Sequence, residues 1–268
     1  MWIFCGGMPR SGSTLQFQIT AHLVEQAGLG HRVEWVPPAE FPRLRERYGA
    51  APGWKVFKTH ICTDEVRALL DAHEAKGVYV YRDVRDAVVS RMRERQEPFA
   101  HVWQRGFLAR VLTNFDSWTS TPGMLVSRYD EMIADVAGEV ERIARHLGIS
   151  VGRDHCARVA AEYTIDRQRA RIRDVEARGA LARSGDIAYD PVSNLHVRHI
   201  ASGGHGEWRG VLSSEEVAMV EDRAKQWLVA NGYPLALSAW RRALLKRRFE
   251  RRLSRGAAST SDPAPNAT

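Results

Sequence analysis

The sequence contains few cysteines and no long apolar run. Its three cysteines, Cys5, Cys62 and Cys156, are widely separated and match neither a metal-binding spacing nor a disulfide framework. No stretch of about 18 apolar residues occurs, so no membrane-spanning helix is predicted. The first residues lack the basic leader of a secretory signal. Together these absences predict a cytoplasmic protein without a metal site.

Basic charge is unevenly distributed along the chain. The 268 residues carry a formal net charge of +7. Residues 241–255 alone contain eight basic residues and one acidic residue, so residues 1–240 are close to neutral. A nucleic-acid footprint across the whole protein is therefore not predicted, and we expect no nucleic-acid partner.

Strand and helix patterns alternate along most of the chain, and 44% of its residues are hydrophobic. The apolar runs that predict strands are residues 1–6, 53–59, 78–81 and 124–127. The periodic segments that predict helices are residues 15–28, 63–73, 84–95, 100–119, 130–147 and 213–232. This alternation predicts an α/β fold, with a parallel sheet flanked by helices on both faces.

Composition predicts three regions. We expect one domain over residues 1–233, a basic amphipathic helix over 234–255 and a disordered tail over 256–268. Residues 173–207 are rich in Gly, Ser, Asp and Arg, and they predict a long loop region.

A glycine-containing loop follows the first predicted strand and precedes a helix. Gly7 to Thr14 has the spacing of a phosphate-binding P-loop, in which backbone N–H groups and the helix dipole favour an anion. Ser13 stands where the nucleotide-hydrolysing loop has lysine, and the positive charge is at Arg10 instead. The missing lysine argues against ATP or GTP hydrolysis. The structural alternative is an ordinary glycine turn capped by Ser11 or Ser13.

Lys58-Thr59-His60 ends a predicted core strand. In open α/β sheets, ligands bind beyond the carboxyl ends of the strands. A histidine at such a position can accept a proton from a hydroxyl at neutral pH. The alternative is a histidine that makes only a local hydrogen bond.

Residues 81–90, Tyr-Arg-Asp-Val-Arg-Asp-Ala-Val-Val-Ser, join a strand end to a helix. Arg82 and Ser90 could both contact one phosphate, through a guanidinium group and a hydroxyl. The alternative is a solvated helix start in which Asp83 or Asp86 is the cap.

These three segments resemble the motifs of the PAPS-dependent sulfotransferase superfamily, which has a P-loop-like nucleotide-binding fold. Residues 9–14 are similar to its 5′-phosphosulfate loop, residues 58–60 to its general-base segment and residues 81–90 to its 3′-phosphate motif. Cytosolic members usually carry lysine where Arg10 stands, whereas arginine is familiar from the carbohydrate and tyrosylprotein branches.

Two further segments extend the resemblance to about residue 232. Tyr129 stands where the family has a tyrosine that helps to position the adenine, although it could simply pack at the sheet edge. Residues 203–209 look like the closing loop, in which the family has Arg-Lys before the first glycine. Ala201 and Ser202 occupy those positions here, so Arg198, His199 or the backbone N–H groups of Gly203 and Gly204 are candidate replacements.

The resemblance implies transfer of a sulfuryl group from 3′-phosphoadenosine-5′-phosphosulfate (PAPS) to a hydroxyl or amine, which leaves adenosine 3′,5′-bisphosphate. The acceptor would be a small molecule, a glycan or a lipid, and no metal is required. The implied catalytic residues are Arg10, Lys58, His60 and Ser90. The implied cofactor-binding residues are Arg10, Ser11, Gly12, Ser13, Thr14, Arg82, Ser90, Tyr129, Gly203 and Gly204.

Alternatives remain open. A nucleotide kinase or NTPase would bind ATP or GTP with Mg²⁺, and a non-catalytic member would bind nucleotide as an adaptor. The aromatic residues within 91–119, Trp118 among them, could line the acceptor pocket or belong to the core. The basic helix could contact a membrane peripherally or pack on the domain.

Overall fold

The computed structural model describes residues 1–184, 187–197 and 203–259. Residues 198–202, which include the candidate replacements Arg198 and His199, lie outside the described residues, as does the tail from residue 260. The chain folds into two compact units. The first unit combines Met1–Arg82 with Thr113–Gly203, and the second combines Asp83–Leu112 with the described residues from Gly204 onward.

The described residues contain seven strands and thirteen α-helices, besides a short 3-10 helix at Pro38–Glu40. The strands are β1 (Trp2–Cys5), β2 (Gly30–Arg32), β3 (Trp54–Lys58), β4 (Ala75–Tyr81), β5 (Met124–Arg128), β6 (Ala182–Ser184) and β7 (Ile187–Tyr189). The helices are α1 (Ser13–Gln26), α2 (Phe41–Gly49), α3 (Asp64–Asp71), α4 (Val84–Arg95), α5 (Phe99–Gln104), α6 (Phe107–Thr119), α7 (Tyr129–Ala134), α8 (Val136–Leu147), α9 (Arg153–Glu162), α10 (Ile165–Ala177), α11 (Trp208–Val211), α12 (Ser214–Ala230) and α13 (Ala239–Ser259).

A five-stranded parallel sheet, in the order β2-β3-β1-β4-β5, forms the centre of the first unit. Alternate residues of β1 face opposite sides of the sheet. Ile3 and Cys5 belong to a buried cluster with Phe17 of α1 and residues of α8 and α9. Phe4 meets Phe41 of α2, with ring centroids 5.5 Å apart, in an aromatic cluster separate from that one. The predicted parallel α/β fold is therefore confirmed.

The order of the strands determines where the motifs meet. β1 lies between β3 and β4, and all three strands run in the same direction. The residues after β1, β3 and β4 therefore lie at one edge of the sheet. These residues are the glycine loop, Lys58-Thr59-His60 and Arg82.

Several predicted elements differ from the structure. The helix predicted over 100–119 is two helices, because Gly106 between them adopts a positive φ of 67°. The helix predicted over 130–147 is broken at Asp135, whose side chain caps α8 by accepting from the Gly138 N–H at 2.8 Å. β2, α2, α9 and α10 were not predicted.

The long loop predicted over 173–207 is only partly correct. Helix α10 continues to Ala177, and β6 and β7 pair as an antiparallel hairpin. These strands have only three residues each, too few to give a recognisable alternating pattern.

The C-terminal helix also has different bounds. It begins at Ala239 rather than residue 234, and its first bond runs from the Arg242 N–H to the Ser238 carbonyl. The backbone N–H groups of Ala236 and Leu237, ahead of the helix, donate to the Glu221 carboxylate instead. It continues to Ser259, past the predicted start of disorder at residue 256. None of the helices in the described part of the chain has the length and hydrophobicity of a membrane-spanning segment.

Candidate anion-binding active site

The glycine loop after β1 is fixed to β4. The Met8 N–H donates to the Val80 carbonyl at 2.9 Å. The hydroxyl of Ser11, which is fully buried, lies 2.6 Å from the Met8 carbonyl and 2.8 Å from that of Val80. The side chain of Ser11 thus holds the loop against β4, and its expected contact with the cofactor stays a prediction.

The N-terminus of α1 is built without a side-chain cap. Its N-cap residue is Gly12, with a φ of 84°, so no side chain satisfies the first N–H groups of the helix. A Cβ atom at Gly12 would lie 2.8 Å from the Tyr129 ring, which restricts this position to glycine. The hydroxyl oxygen of Thr14 is buried and has no hydrogen-bond partner among the described residues. An anion is the ligand that such a helix start favours.

Lys58 places a second cation at this loop. Its side chain is 5% exposed and donates no hydrogen bond to a described residue. Burial, and then the neighbouring Arg10 guanidinium, lower the pKa of Lys58 from 10.5 to about 8. Arg10 itself has a positive φ of 71°, an uncommon backbone conformation for a residue with a side chain. Two neighbouring cations at an uncapped helix start make a site that fits a phosphate or sulfate group.

His60 is held in a defined orientation beside the loop. Its Nδ1 lies 2.9 Å from the carbonyl oxygen of Gly7. A carbonyl oxygen can only accept, so Nδ1 carries the proton and Nε2 carries the lone pair of the neutral ring. His60 therefore has the tautomer that a general base acting through Nε2 requires.

Two residues support the backbone of His60, a role that was not predicted for either of them from the sequence. The Trp118 indole N–H donates to the His60 carbonyl at 3.1 Å, and the Asn114 amide donates to the same oxygen. The Asn114 Oδ1 accepts from the Tyr79 hydroxyl at 2.8 Å. Trp118 was a candidate for the acceptor pocket, but it is fully buried and belongs to the core.

Tyr129 connects three of the predicted cofactor-binding residues. Its ring lies against Gly12, the Arg82 guanidinium stacks 4.6 Å from the ring centroid, and its hydroxyl donates to the Gly203 carbonyl at 2.9 Å. The structure thus brings Gly12, Arg82 and Gly203 together around one aromatic side chain. The expected role of Tyr129 toward adenine stays a prediction.

The second unit carries Ser90 and Gly204. Ser90 is half-buried on α4, and Gly204 begins the segment that leads to α11. The buried Asp86 of α4 accepts from the backbone N–H groups of Gly206 and Trp208, at 2.6 and 3.0 Å. The glycine-rich segment is therefore fixed to the helix that carries Ser90. Sequence reasoning missed Asp86 in this role.

Among the described residues, no three His, Cys, Asp or Glu side chains form a group that could hold a metal ion.

Residues 3–231 match the family model described as a sulfotransferase domain. The chain is also similar to two curated proteins, each described as a glycolipid sulfotransferase, from Mycobacterium bovis (strain BCG / Pasteur 1173P2) and Mycobacterium tuberculosis (strain ATCC 25177 / H37Ra). Each is 28% identical over 121 residues, which cover 44% of this chain and 34% of the relative. The alignment thus spans about a third of the length of these relatives.

Two solved structures share the fold. Retinol dehydratase, in complex with androsterone and the inactive cofactor PAP, has a TM-score of 0.60 and 19% identity, over 85% of this chain and 80% of that one. Mouse sulfotransferase SULT7A1, complexed with PAP, has a TM-score of 0.58 and 16% identity, over 87% and 89% of the two chains.

Proposed function

The chain belongs to the sulfotransferase domain family, and from that membership we propose that it transfers a sulfuryl group from PAPS to a hydroxyl or amine. The observation that carries this proposal is the cation pair at an uncapped helix start. Arg10 is close enough to Lys58 to lower the pKa of the lysine. The N-terminus of α1 follows the same loop. Neither cation occupies the lysine position of the nucleotide-hydrolysing P-loop, which Ser13 fills here. This arrangement favours binding of a phosphosulfate over hydrolysis of a nucleoside triphosphate.

The two neighbouring structures support PAPS as the donor, since PAP is bound in both of them. We propose that the loop from Arg10 to Thr14 holds the 5′-phosphosulfate. Arg82, fixed on the Tyr129 ring, would bind the 3′-phosphate together with Ser90. The remaining cofactor contacts of Tyr129, Gly203 and Gly204 belong to the same proposal.

In the proposed reaction, the acceptor oxygen or nitrogen attacks sulfur in line with the bond to the 5′-phosphate. His60 takes the acceptor proton on Nε2, because Nδ1 is engaged with Gly7. The new bond to sulfur forms as the bond from sulfur to the bridging phosphate oxygen breaks. Arg10 and Lys58 stabilise the negative charge that develops on that oxygen. Arg10 acts as a fixed charge, because arginine keeps its proton.

The proposed acceptor is a small molecule or a lipid. The curated relatives are named for glycolipid, and retinol dehydratase was solved with androsterone and, in a second structure, with retinol. A cytoplasmic location is part of the proposal, supported by three cysteines that form no disulfide.

The proposal can be distinguished from its two alternatives. A nucleotide kinase or NTPase would need the loop lysine that Ser13 replaces. A non-catalytic adaptor would not require a histidine in a fixed orientation and tautomer. In this chain Gly7 sets the tautomer of His60, and Trp118 and Asn114 hold its backbone.

The test is the replacement His60→Ala, assayed for transfer of label from sulfur-labelled PAPS over a panel of phenols, sterols and glycolipids. We expect turnover to fall by about 10²- to 10⁴-fold while the affinity for adenosine 3′,5′-bisphosphate is kept. His73→Asn is the matched control, because His73 is exposed and has a positive φ that asparagine tolerates. Equal turnover of His60→Ala and the wild type would reject His60 as the base.

A further inference from the structure

Helix α13 has one face that is already used within the second unit. Phe249 is buried, with its ring 5.5 Å from that of Phe99. Lys246 pairs with Asp222 of α12 at 2.6 Å, and Arg252 pairs with Glu215 at 2.9 Å. These contacts fix the rotation of α13 about its own axis.

The opposite face of α13 carries a different set of side chains. Trp240, Leu244, Arg247, Arg248 and Arg251 follow one another at helical spacing, so they lie on one side of the helix. Trp240 is 68% exposed and Leu244 is 43% exposed. The three arginines are exposed as well. We refer to these five residues as the outer face of α13.

Charge on the outer face is not neutralised locally. Arg247, Arg248 and Arg251 have no ion-pair partner in the part of the chain that the structure describes, and neither has the adjacent Arg241. The acidic residues near α13, Asp222, Glu215 and Glu250, interact instead with Lys246 and Arg252. The outer face therefore combines a positively charged row with two exposed apolar side chains at its N-terminal end.

Val229, near the end of α12, adds to this apolar end. It is 60% exposed. The ion pairs of Lys246 with Asp222 and of Arg252 with Glu215 show that α12 and α13 run antiparallel. The end of α12 is therefore near the start of α13, close to Trp240. Single exposed apolar residues are common, but a tryptophan, a leucine and a valine near one another indicate a contact surface.

We propose that the outer face of α13 binds the surface of a membrane rich in anionic lipid. Tryptophan and leucine enter the boundary between headgroups and acyl chains, and arginines beside them attract anionic headgroups. The helix would lie along the membrane plane, with its other face still packed on the second unit.

Charge complementarity favours this occupant over two others. A second copy of the chain paired about a two-fold axis would bring like-charged rows together, which is unfavourable. A nucleic acid would match the arginines but would leave the apolar end of the face unused.

The experiment measures co-sedimentation of the full chain with vesicles of phosphatidylcholine, prepared with and without phosphatidylserine. The wild type should bind only the vesicles that contain phosphatidylserine, and added salt should release it. Each arginine near an anionic membrane contributes about fivefold to partitioning, so Arg247→Gln with Arg248→Gln should weaken binding by roughly 25-fold. Trp240→Ser should also weaken binding, but without changing the response to salt.

The matched control replaces two exposed arginines outside the outer face, Arg43→Gln with Arg158→Gln, for the same change in net charge. This control should bind vesicles like the wild type. All variants should keep the thermal unfolding temperature and the affinity for adenosine 3′,5′-bisphosphate, which separates this proposal from the proposed enzymatic function.

Three results would overturn the proposal. The first is a wild type that does not bind phosphatidylserine vesicles at low salt. The second is equal loss of binding in the control and in the Arg247/Arg248 variant, which would indicate a general charge effect. The third is a protein that does not bind vesicles but either forms a dimer through Trp240, as measured by light scattering, or binds duplex DNA through Arg247.

Discussion

Lys58 gives the candidate site a pH dependence whose direction follows from the structure. Its ammonium group is buried beside Arg10, and both effects lower its pKa from 10.5 to about 8. A bound phosphate has the opposite charge and would restore the pKa toward its ordinary value. At a pH between the pKa of Lys58 in the free protein and its pKa in the complex, nucleotide binding is therefore coupled to uptake of one proton by Lys58.

The sign and size of the effect follow from this coupling. Below pH 8, Lys58 is charged in both the free and the bound protein, so its contribution to affinity does not change with pH. Above pH 8, the free protein loses the proton and the complex keeps it, so affinity falls by up to about tenfold for each pH unit. The two pKa values, 10.5 and about 8, limit the total loss to roughly 300-fold.

Isothermal titration of adenosine 3′,5′-bisphosphate at several pH values, in buffers with different ionisation enthalpies, measures both the affinity and the proton uptake. Lys58→Met should bind more weakly at neutral pH and lose the decline above pH 8. Because it removes a charge that is costly to bury, the same replacement should stabilise the ligand-free protein at neutral pH, by up to about 3 kcal/mol. An affinity that is constant from pH 7 to 10 in the wild type would refute the assignment of Lys58 to the phosphate site.

Four further predictions concern single side chains. Arg82→Ala should weaken binding of adenosine 3′,5′-bisphosphate at least tenfold more than binding of adenosine 5′-phosphate, as measured by calorimetry. A tenfold difference corresponds to about the free energy of one hydrogen bond to a charged group. Equal weakening of both nucleotides would show that Arg82 has only a structural role. Arg10→Lys should keep most of the transfer activity, since the site uses a fixed charge, and inactivity comparable to Arg10→Ala would contradict this. Asn114→Ala should lower kcat while leaving the KM for PAPS unchanged, because it removes support from the His60 carbonyl; a changed KM alone would contradict this positioning role. Glu221→Ala should lower the free energy of unfolding by about 3–5 kcal/mol in urea titrations, because it leaves the buried Arg85 without one partner of its ion-pair network; a loss under about 1 kcal/mol would show that Asp83 alone satisfies that charge.

The sequence predicts those elements of the site that are marked by a pattern of neighbouring residues. A short apolar run followed by glycines and a periodic helix identifies β1, the loop and α1. The capping pair Ser213 and Glu216 identifies the start of α12, and both halves of that capping box are present in the structure. Strand ends at Lys58 and Arg82 follow from the same kind of reasoning.

Contacts between distant positions could not be predicted in this way. Asn114 and Trp118 hold the His60 carbonyl from 54 and 58 residues further along the chain, and neither has a local pattern that marks the contact. Glu221 pairs with Arg85 across 136 residues. β2 has only three residues, none of them strongly apolar, so packing beside β3 rather than its own composition makes it a strand.

The most direct test of the proposed site is the preference of the ligand-free protein for a 3′-phosphorylated nucleotide. We expect adenosine 3′,5′-bisphosphate to bind without Mg²⁺ and at least tenfold more tightly than adenosine 5′-phosphate, and ATP with Mg²⁺ to bind more weakly than either. Tighter binding of ATP with Mg²⁺, or equal binding of the two adenosine phosphates, would contradict the account.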